Sequence, residues 1–432
     1  MTSRHAAPTR PRAVRHGRPH RSHGILKGVA LAVVAVLCFG GSGAAALYIK
    51  YQGNIESVDV TDLVSALPQP TATGPADPDD PNAGRDVNIL LMGSDERDGE
   101  NEAIGGYVGG MRSDTSIVLH ISADRSRVEL ISIPRDSLVD IPTCTMSDGS
   151  TTKAQSNAMF NSAFSIGADT GGDVASAAAC AINTVQQNTG VRIDHFVVVD
   201  FAGFIKMVDS IGGVPICIAN DMTSPKAGLS LTAGQQVLDG TTALAFARAR
   251  TGTGVGDGSD TNRLGRQQEL LAAVAREVLS KNLLTDITQL IRFLDSATES
   301  LSIDSGFSSI TDMAGLAYSL RNTSIDNISF MTIPFETAPS DPNRVVWTDE
   351  AATIWANVAA DTPMLTGTSQ DDTTTSDAGT GTDNGTGTGT SGGTATDAAT
   401  TPTDTASTPT AAQTREAGKE AFSANDITSS CG

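Results

Sequence analysis

The sequence predicts one α/β domain with three layers, in which helices cover both faces of a central mixed sheet. One transmembrane helix precedes this domain, and a disordered tail follows it. Three observations support this prediction. Short apolar runs alternate with amphipathic segments between residues 86 and 361, an apolar segment of membrane-spanning length precedes them, and a stretch with few large apolar residues follows. With 432 residues and 39% apolar content, the chain can bury a substantial core.

The N-terminal region is basic and then apolar. Residues 1–50 hold eight Lys or Arg and no acidic residue, whereas the whole chain has a formal net charge of −20. Apart from Lys27, residues 25–49 are uncharged and largely apolar, and as a helix they would be roughly 37 Å long. The positive-inside bias keeps residues 1–24 in the cytoplasm and exports the remainder, which predicts a single-pass membrane protein. A cleaved secretory signal is the alternative, because residues 43–46 are small.

Two segments of biased composition flank the predicted domain. Residues 50–85 become rich in Pro, Asp and Thr, which is typical of a linker that holds a domain away from the membrane. Residues 366–432 are a Thr/Gly/Asp-rich, low-complexity segment that offers too little apolar surface to offset the entropy of ordering. We therefore expect the extracellular folded domain at residues 86–361.

Apolar runs within the domain predict strands, and segments with helical periodicity predict helices. The predicted strands are residues 87–92, 115–121, 128–133, 196–199, 214–218 and 328–333. The predicted helices are residues 173–188, 201–210, 241–247, 263–280, 284–300, 308–320 and 349–360. A short polar connector at residues 124–127 joins the second and third strands, so these two should form an antiparallel hairpin. If Ile121 opposes Val128, then Asp114 opposes Arg135.

Arginines recur beside these segments in an otherwise acidic chain. They occur in four motifs: Arg112-Ser-Asp114, Ile133-Pro-Arg135-Asp136, Arg248-Ala-Arg250 and Asp260-Thr-Asn-Arg263-Leu-Gly-Arg266-Gln267-Gln268. Guanidinium groups present planar donor forks that match phosphate oxygens, so clustered arginines beside carboxylates suggest a bound phosphate with a divalent cation. Folding the hairpin brings Arg112, Asp114 and Arg135 to one end of the sheet. A structural ion pair at that end is the alternative for a single Arg–Asp pair.

The last of these motifs begins a predicted helix. A helix capped by Asp260 would place Arg263 and Gln267 at the start of an inward stripe that turns apolar further along. This pattern fits an anion at the N-terminal end and a hydrocarbon chain beyond it, although an ordinary amphipathic helix with a solvated basic first turn is the alternative. The Gly-rich loop at residues 251–259 is interpreted as a mobile flap. A calcium loop at residues 257–260 has incomplete ligand spacing.

The predicted exported domain also contains candidate metal ligands and three cysteines. Asp95 directly follows the first strand and, with Asp114, could supply two hard oxygen ligands for Mg²⁺ or Mn²⁺. The exported domain has only two histidines and no CxxC motif, which argues against a zinc centre. Three cysteines lie in the exported folded part: Cys144, Cys180 and Cys217. One disulfide among them is expected, and sequence alone does not choose the pair.

The order and spacing of these motifs resemble the LytR-CpsA-Psr family of exported cell-wall enzymes. The resemblance also covers residues 200–204, 208–214 and 238–240. It implies that Asp95 and Asp114 hold the metal and act with Arg135 in catalysis. It implies that the substrate pyrophosphate is bound by Arg112, Arg135, Arg248, Arg250, Arg263, Arg266 and Gln267. A polyprenyl tail would occupy an apolar cavity between sheet and helices, while a Gly-rich insertion at residues 97–110 departs from the family pattern.

The resemblance implies a membrane-anchored, Mg²⁺-dependent phosphotransferase. It would attach a glycopolymer of the teichoic acid, arabinogalactan or capsule type to peptidoglycan through a phosphodiester, taking it from a polyprenyl pyrophosphate. Asp114 or Asp136 could serve as the base for the acceptor hydroxyl. Two alternatives stay open: a polyprenyl-pyrophosphate hydrolase, and a non-catalytic, lipid-binding regulator of the envelope. The acidic exported domain argues against a nucleic-acid partner.

Overall fold

The computed structural model describes residues 56–72, 80, 82–95, 99–105, 110–256, 258, 260–281, 290, 293, 301–369, 415–426 and 428. The chain divides into two compact units between Lys50 and Tyr51, and every described residue belongs to the second unit. The predicted basic segment and transmembrane helix, residues 1–49, therefore lie outside the described residues. Among the residues that are described, no helix is both long enough and apolar enough to cross a bilayer.

An eight-stranded mixed sheet forms the centre of the domain. In spatial order its strands are Glu56–Val58 (β1), Leu301–Asp304 (β12), His195–Val199 (β7), Val87–Ser94 (β2), Ser113–Ile121 (β3), Val128–Ile133 (β4), Ile328–Thr332 (β13) and Phe422–Ser423 (β16). The pairs β1–β12, β7–β2 and β4–β13 are parallel, and the other neighbours are antiparallel. Ile121 faces Val128, which confirms the predicted hairpin register.

Smaller strand pairs and helices surround the sheet. The paired strands are Leu138–Ile141 (β5) with Gln155–Met159 (β6), Val214–Ile218 (β8) with Gly234–Leu238 (β11), Met222–Ser224 (β9) with Leu229–Leu231 (β10), and Phe335–Thr337 (β14) with Val345–Trp347 (β15). The helices are Gly99–Gly105 (α1), Asn161–Gly171 (α2), Val174–Thr189 (α3), Phe201–Ser210 (α4), Gly240–Arg248 (α5), Asp260–Ser280 (α6), Ile310–Ser319 (α7) and Asp349–Ala359 (α8). The predicted helix 284–300 lies almost wholly outside the described residues.

Aspartates fix the starts of three of these helices. Asp173, Asp200 and Asp239 precede α3, α4 and α5, and each carboxylate accepts the backbone amide of the residue three positions later. Such a cap satisfies a donor that the first turn of a helix leaves without an intrahelical partner. The sequence therefore sets these boundaries locally, which is why the predicted starts agree with the observed ones to within one or two residues.

Apolar side chains from both faces of the sheet form the layered core. One face buries Leu90, Val118 and Ile131 against residues of α2, α3 and α8. The opposite face buries Ile89 and Ile117 against residues of α6 and α7. Because alternate residues of a strand point to opposite faces, near-continuous apolar strands are what a sheet covered on both sides requires. The predicted three-layer arrangement is confirmed for the described part of the chain.

Small residues allow α2 and α3 to pack at close range. The run from Ala177 to Ala181 is at most 2% exposed, and a Cβ on Gly167 would lie 2.3 Å from the carbonyl oxygen of Ser176. A disulfide joins Cys180 of α3 to Cys144. Cys217 is also disulfide-bonded. The tertiary fold thus settles a pairing that the sequence left open.

The predicted linker is partly a component of the domain. Residues 56–72 lie against the core: β1 pairs with β12, and Val58 and Val60 are buried. The Asn183 side chain of α3 donates to the Leu63 carbonyl at 2.9 Å and accepts the Ser65 amide at 2.7 Å. The domain therefore starts near residue 56 rather than 86. Three-residue β1 is too short to give a periodic signal in a Pro/Asp/Thr-rich context.

The predicted disordered tail is wrong for residues 415–426. Strand β16 pairs with β13, and the Phe422 ring stacks on Phe330 with centroids 5.3 Å apart. The Gly418 amide donates to Gln268 Oε1 at 3.0 Å, and Arg276 donates to the Ala424 carbonyl at 2.8 Å. This short segment gains its order from the sheet edge and from α6, so its composition alone did not reveal it.

We predict that Phe422→Ala will lower the free energy of unfolding by about 3 kcal/mol. This value is the lower end of the range for truncating a buried Phe, because the ring is 3% exposed but lies at a sheet edge. Urea denaturation of the full-length protein would measure the change. Val237→Ala, at a side chain that is 68% exposed, is the control and should change stability by less than about 0.5 kcal/mol. An unchanged Phe422→Ala midpoint would contradict the docking of this segment.

A pH effect is expected from Asp124 in the β3–β4 connector. Burial raises the pKa of this carboxyl, but hydrogen bonds from Ser122 and Ser126 outweigh that effect and lower the pKa from 3.8 to about 2. Because the pKa of Asp124 is lower in the folded state than in the unfolded state, its carboxylate stabilises the fold. This stabilisation is fully present above pH ~4 and is lost as the pH falls towards 2.

We therefore expect Asp124→Asn to be less stable than the native chain at pH 6, with the difference vanishing near pH 2. Because the side chain is exposed, solvent screening should keep this difference below about 1 kcal/mol. Unfolding free energies at both pH values would test this. A difference that grows on acidification would contradict the assignment.

Candidate functional site

Asp114 occupies an irregular position in the sheet. Gly93 pairs with Thr115 and Ser94 pairs with Ser113, so Asp114 is the extra residue of a β-bulge between β2 and β3. Bulges redirect side chains and are common beside functional sites. The predicted hairpin register also holds here, because Arg135, just after β4, contacts Asp114 with an Nη1–Oδ1 distance of 3.0 Å.

Three guanidiniums from distant parts of the chain converge on Asp114. Besides Arg135, Arg250 Nη2 lies 2.9 Å from Asp114 Oδ2, and Arg263 Nη1 lies 3.8 Å from the same oxygen. Arg263 also donates through Nη2 to the Asp114 carbonyl at 3.0 Å. The Arg135 and Arg250 side chains remain 23% and 34% exposed, whereas that of Arg263 is only 2% exposed. The Arg135 and Arg250 guanidiniums can therefore contact a ligand, whereas the buried Arg263 guanidinium contacts Asp114.

Two further aspartates complete this arrangement. Asp260 lies 2.8 Å from Arg263 Nη2 and 3.5 Å from Arg135 Nε, while Asp136 contacts Arg135 at 3.4 Å and Arg344 at 3.3 Å. We call these seven residues the Asp114 cluster: Asp114, Asp136, Asp260, Arg135, Arg250, Arg263 and Arg344. The sequence indicated Asp260 only as a helix cap, although its spacing of three from Arg263 is a signal for an ion pair on one helix face. No sequence signal pointed to Arg344.

The cluster has an excess of positive charge. Four guanidiniums meet three carboxylates in it, which favours a bound anion. Burial raises the pKa of Asp114, but Arg250, Arg135 and Arg263 together outweigh burial and lower it, so this carboxylate is anionic. Burial lowers the pKa of Arg263 and dominates over the opposing effect of Asp260.

Asp95 lies at the same end of the sheet as Asp114. Its Oδ1 accepts the Arg112 amide at 2.9 Å, and its own amide donates to the Arg112 carbonyl at 2.9 Å. The Arg112 side chain is exposed. Within the part of the chain that the structure describes, no group of three or more His, Cys, Asp or Glu side chains forms a metal centre. A two-carboxylate magnesium site at Asp95 and Asp114 stays a prediction.

Arg248 and Gln267 make other contacts beside these motifs. The Arg248 guanidinium carbon lies 4.2 Å above the Phe201 ring, which is a cation–π arrangement. Gln267 Nε2 makes a long contact of 3.4 Å to the Ala247 carbonyl, and its Oε1 is buried without a hydrogen-bond partner among the described residues. A buried unpaired amide oxygen is a position where a bound ligand could supply the missing donor.

The contacts of Arg266 differ from those expected of a predicted pyrophosphate ligand. It is 8% exposed, and its guanidinium donates to three backbone carbonyls, those of Phe246, Ala249 and Val255. Arg263, three positions earlier on α6, contacts Asp114, whereas the Arg266 guanidinium contacts the loop that precedes α6. The sequence pattern could not separate these directions.

The Gly-rich loop before α6 is also unlike the predicted mobile flap in its described part. Strand β9 holds it, because the Thr223 amide donates to the Thr253 carbonyl at 2.9 Å and the Ser224 hydroxyl donates to the Thr251 carbonyl at 2.7 Å. A Cβ at Gly252, where φ is +146°, would lie 1.9 Å from the Thr223 oxygen. Glycine here permits close backbone contact as well as an unusual φ.

Partly buried apolar side chains lie on one face of the central strands. Leu91 of β2, Leu119 of β3, and Val197 and Val199 of β7 are only partly buried, although they pack against the same core that α6 and α7 cover. Their strands lie in the middle of the sheet rather than at its edge. This surface is where the predicted hydrocarbon-binding cavity would lie.

Comparisons with known proteins agree with these observations. The family model LytR_cpsA_psr matches residues 48–360. Two relatives in Corynebacterium glutamicum are the probable cell wall biosynthesis protein LcpB, 32% identical over 61% of this chain and 58% of its own, and the cell wall biosynthesis protein LcpA, 30% identical over 57% and 50%. The chain thus spans about half the length of these curated relatives. A polyisoprenyl-teichoic acid–peptidoglycan teichoic acid transferase, TagU of Oceanobacillus iheyensis, is 29% identical over 56% of this chain and 67% of its own.

Proposed function

The chain belongs to the LytR-CpsA-Psr family, and from this premise we propose that it transfers a glycopolymer from a polyprenyl-pyrophosphate carrier to peptidoglycan. The observation that carries the proposal is the convergence of Arg135, Arg250 and Arg263 on Asp114 at one end of the sheet. Guanidinium forks match phosphate oxygens, and the excess positive charge of the cluster suits a pyrophosphate. The name of the TagU relative supports a lipid-linked donor and a peptidoglycan acceptor.

The proposed reaction is a phosphoryl transfer. An acceptor hydroxyl oxygen forms a bond to the sugar-side phosphorus, and the bond from that phosphorus to the bridging oxygen breaks. Polyprenyl phosphate leaves with the bridging oxygen, and the hydroxyl proton passes to a base or to solvent. The protein's part is to hold the reacting groups in line and to neutralise charge on the equatorial and leaving oxygens, which fixed guanidiniums can do.

A divalent cation fits this donor set. Asp95 and Asp114 would hold Mg²⁺ or Mn²⁺ as hard oxygen ligands, and the lowered pKa of Asp114 keeps its carboxylate in the required anionic form. The metal would supply further neutralisation of phosphate charge. Because three guanidiniums already contact Asp114, we assign this residue to aligning them and to holding the metal. Asp136 is then the proposed base for the acceptor hydroxyl.

The apolar surface at Leu91, Leu119, Val197 and Val199 is the proposed site for the polyprenyl tail. Partly exposed aliphatic side chains beside a cationic cluster match a ligand that is charged at one end and hydrocarbon at the other. We also propose that residues 25–49 anchor the chain in the membrane, with the N-terminus in the cytoplasm. The Cys144–Cys180 disulfide fits an oxidising exterior.

A turnover assay tests the proposal and its two alternatives. Full-length protein in detergent is incubated with a labelled disaccharide linked to a polyprenyl pyrophosphate, with and without peptidoglycan. Transfer predicts label joined to peptidoglycan through a phosphodiester, and it predicts little release without the acceptor. Release that is independent of peptidoglycan would identify a hydrolase. Tight binding with no turnover under either condition would support the lipid-binding regulator instead.

A further inference from the structure

Arg266 is a buried cation that the proposed chemistry does not use directly. Its Nε lies 3.3 Å from the Phe246 carbonyl oxygen and its Nη1 lies 2.6 Å from that of Val255, while its Nη2 donates to Ala249. Burial lowers the pKa of Arg266 to about 10, so it is still protonated at neutral pH. A charged side chain is costly to bury, and three carbonyl acceptors compensate for its lost hydration.

The three carbonyls belong to the segment that carries two candidate pyrophosphate ligands. Phe246 lies in the last turn of α5, Ala249 directly precedes Arg250, and Val255 is a 1% exposed residue of the Gly-rich loop. Arg266 therefore donates hydrogen bonds to this segment both before and after Arg250. It does so from α6, the same helix that presents Arg263 to Asp114.

A second set of contacts holds the same segment from the other side. The Ser224 hydroxyl of β9 donates to the Thr251 carbonyl, and the Thr223 amide donates to the Thr253 carbonyl. The carbonyls of Ala249 and Thr251 flank Arg250, and both are thus fixed. Because peptide units are planar, fixing the unit before Arg250 and the unit after Thr251 leaves few backbone conformations for these two residues, which restricts the direction of the Arg250 Cα–Cβ bond.

We infer that Arg266 is a positioning residue, which orients Arg250 towards Asp114 by holding the backbone on either side of it. The inference rests on the proposed function and deepens it. Arginine suits this role because its planar fork reaches three acceptors at fixed angles, whereas a lysine ammonium acts as a single point. Arg266 acts through Arg250 and does not itself touch the substrate.

Arg266→Lys in the full-length protein tests the inference, with Arg276→Lys as the matched control. Arg276 is on the same helix and also donates to a backbone carbonyl, that of Ala424, but it is outside the Asp114 cluster. We expect Arg266→Lys to lower kcat for transfer by about 10- to 100-fold with KM changed less than about threefold, since misplacing a positioning group by an ångström has effects of this size. Arg276→Lys should stay within about twofold.

A double-mutant cycle separates positioning from a general loss of stability. If Arg266 acts through Arg250, then adding Arg266→Lys to Arg250→Ala should lower kcat by less than about twofold further. Fully multiplicative effects would overturn the inference. If Arg266→Lys does not fold, Ser224→Ala removes the opposite tether of the same segment and should lower kcat about three- to tenfold, again with no further effect on Arg250→Ala.

Hydrogen exchange distinguishes failure of this inference from failure of the proposed function. Amides in the segment 250–256 should exchange about tenfold faster in Arg266→Lys than in the native chain, whether or not the protein turns over a lipid-linked substrate. Unchanged exchange in this segment would overturn the role of Arg266. Native protein that binds no farnesyl pyrophosphate and transfers no label, with the exchange effect present, would instead reject the proposed function.

Discussion

Asp114→Asn should lower the rate of glycopolymer transfer by about 1000-fold, which corresponds to about 4 kcal/mol of transition-state stabilisation. The carboxylate is the contact point for Arg135, Arg250 and Arg263 and is one of two proposed metal ligands. Its loss removes both the alignment of these guanidiniums and a ligand for the cation, and both matter most when charge spreads in the transition state. Steady-state turnover with the labelled disaccharide donor and peptidoglycan measures the effect.

The same substitution should not weaken binding of the pyrophosphate group. With Asp114 neutral, four guanidiniums of the cluster would face two carboxylates, so the affinity for farnesyl pyrophosphate without metal should stay equal or rise. Calorimetric titration measures this affinity, and Asp124→Asn at the other end of β3 is the control. Transfer by Asp114→Asn within tenfold of the native rate would remove Asp114 from the proposed mechanism. Weaker pyrophosphate binding would contradict the charge argument.

Arg263→Leu should lower the free energy of unfolding by about 3–5 kcal/mol, in addition to abolishing transfer. Arg263 is 2% exposed, and its guanidinium is shared between Asp260 at 2.8 Å and the Asp114 carbonyl at 3.0 Å. Removing one partner of a buried ion pair leaves the other charge uncompensated, which costs more than the pair itself contributes. Urea denaturation of the full-length protein measures the change.

A second substitution checks this explanation. Arg263→Leu combined with Asp260→Leu should regain most of the lost stability, because both buried charges are then replaced by apolar groups. Transfer should stay abolished in the double variant. Arg321→Ala is the control, since Arg321 lies over the Tyr318 ring at the surface, and it should change stability by less than about 0.5 kcal/mol. A double variant less stable than Arg263→Leu alone would show that packing, rather than charge, explains the loss.

The sequence determined the elements with strong local signals. Long apolar runs specify β2, β3 and β4, and aspartate caps specify the starts of α3, α4 and α5. The polar connector at residues 124–127 sets the hairpin register, and this register brings Arg135 opposite Asp114. Periodicity and capping depend on residues a few positions apart, so they can be read without knowledge of the fold.

Contacts between distant segments were decided only in three dimensions. Residues 56–72 and 415–426 have compositions typical of a linker and a tail, yet β1 and β16 are ordered because each extends an edge of the sheet. The pairing of Cys144 with Cys180 and the joining of Arg344 to the cluster likewise depend on packing. Short segments gain too little from local interactions to be ordered alone and rely on surfaces built by the rest of the chain.

The arginine motifs show most clearly which properties the sequence determines and which the tertiary structure determines. The sequence by itself determined that several guanidiniums accompany aspartates in an acidic chain, and hence that an anion site with a cation was a reasonable hypothesis. Only the tertiary structure decided that Arg263 faces Asp114 while Arg266, three positions later, holds the backbone beside Arg250. Sequence specifies which charged groups are available, but burial and the direction of each Cα–Cβ bond specify what each group contacts.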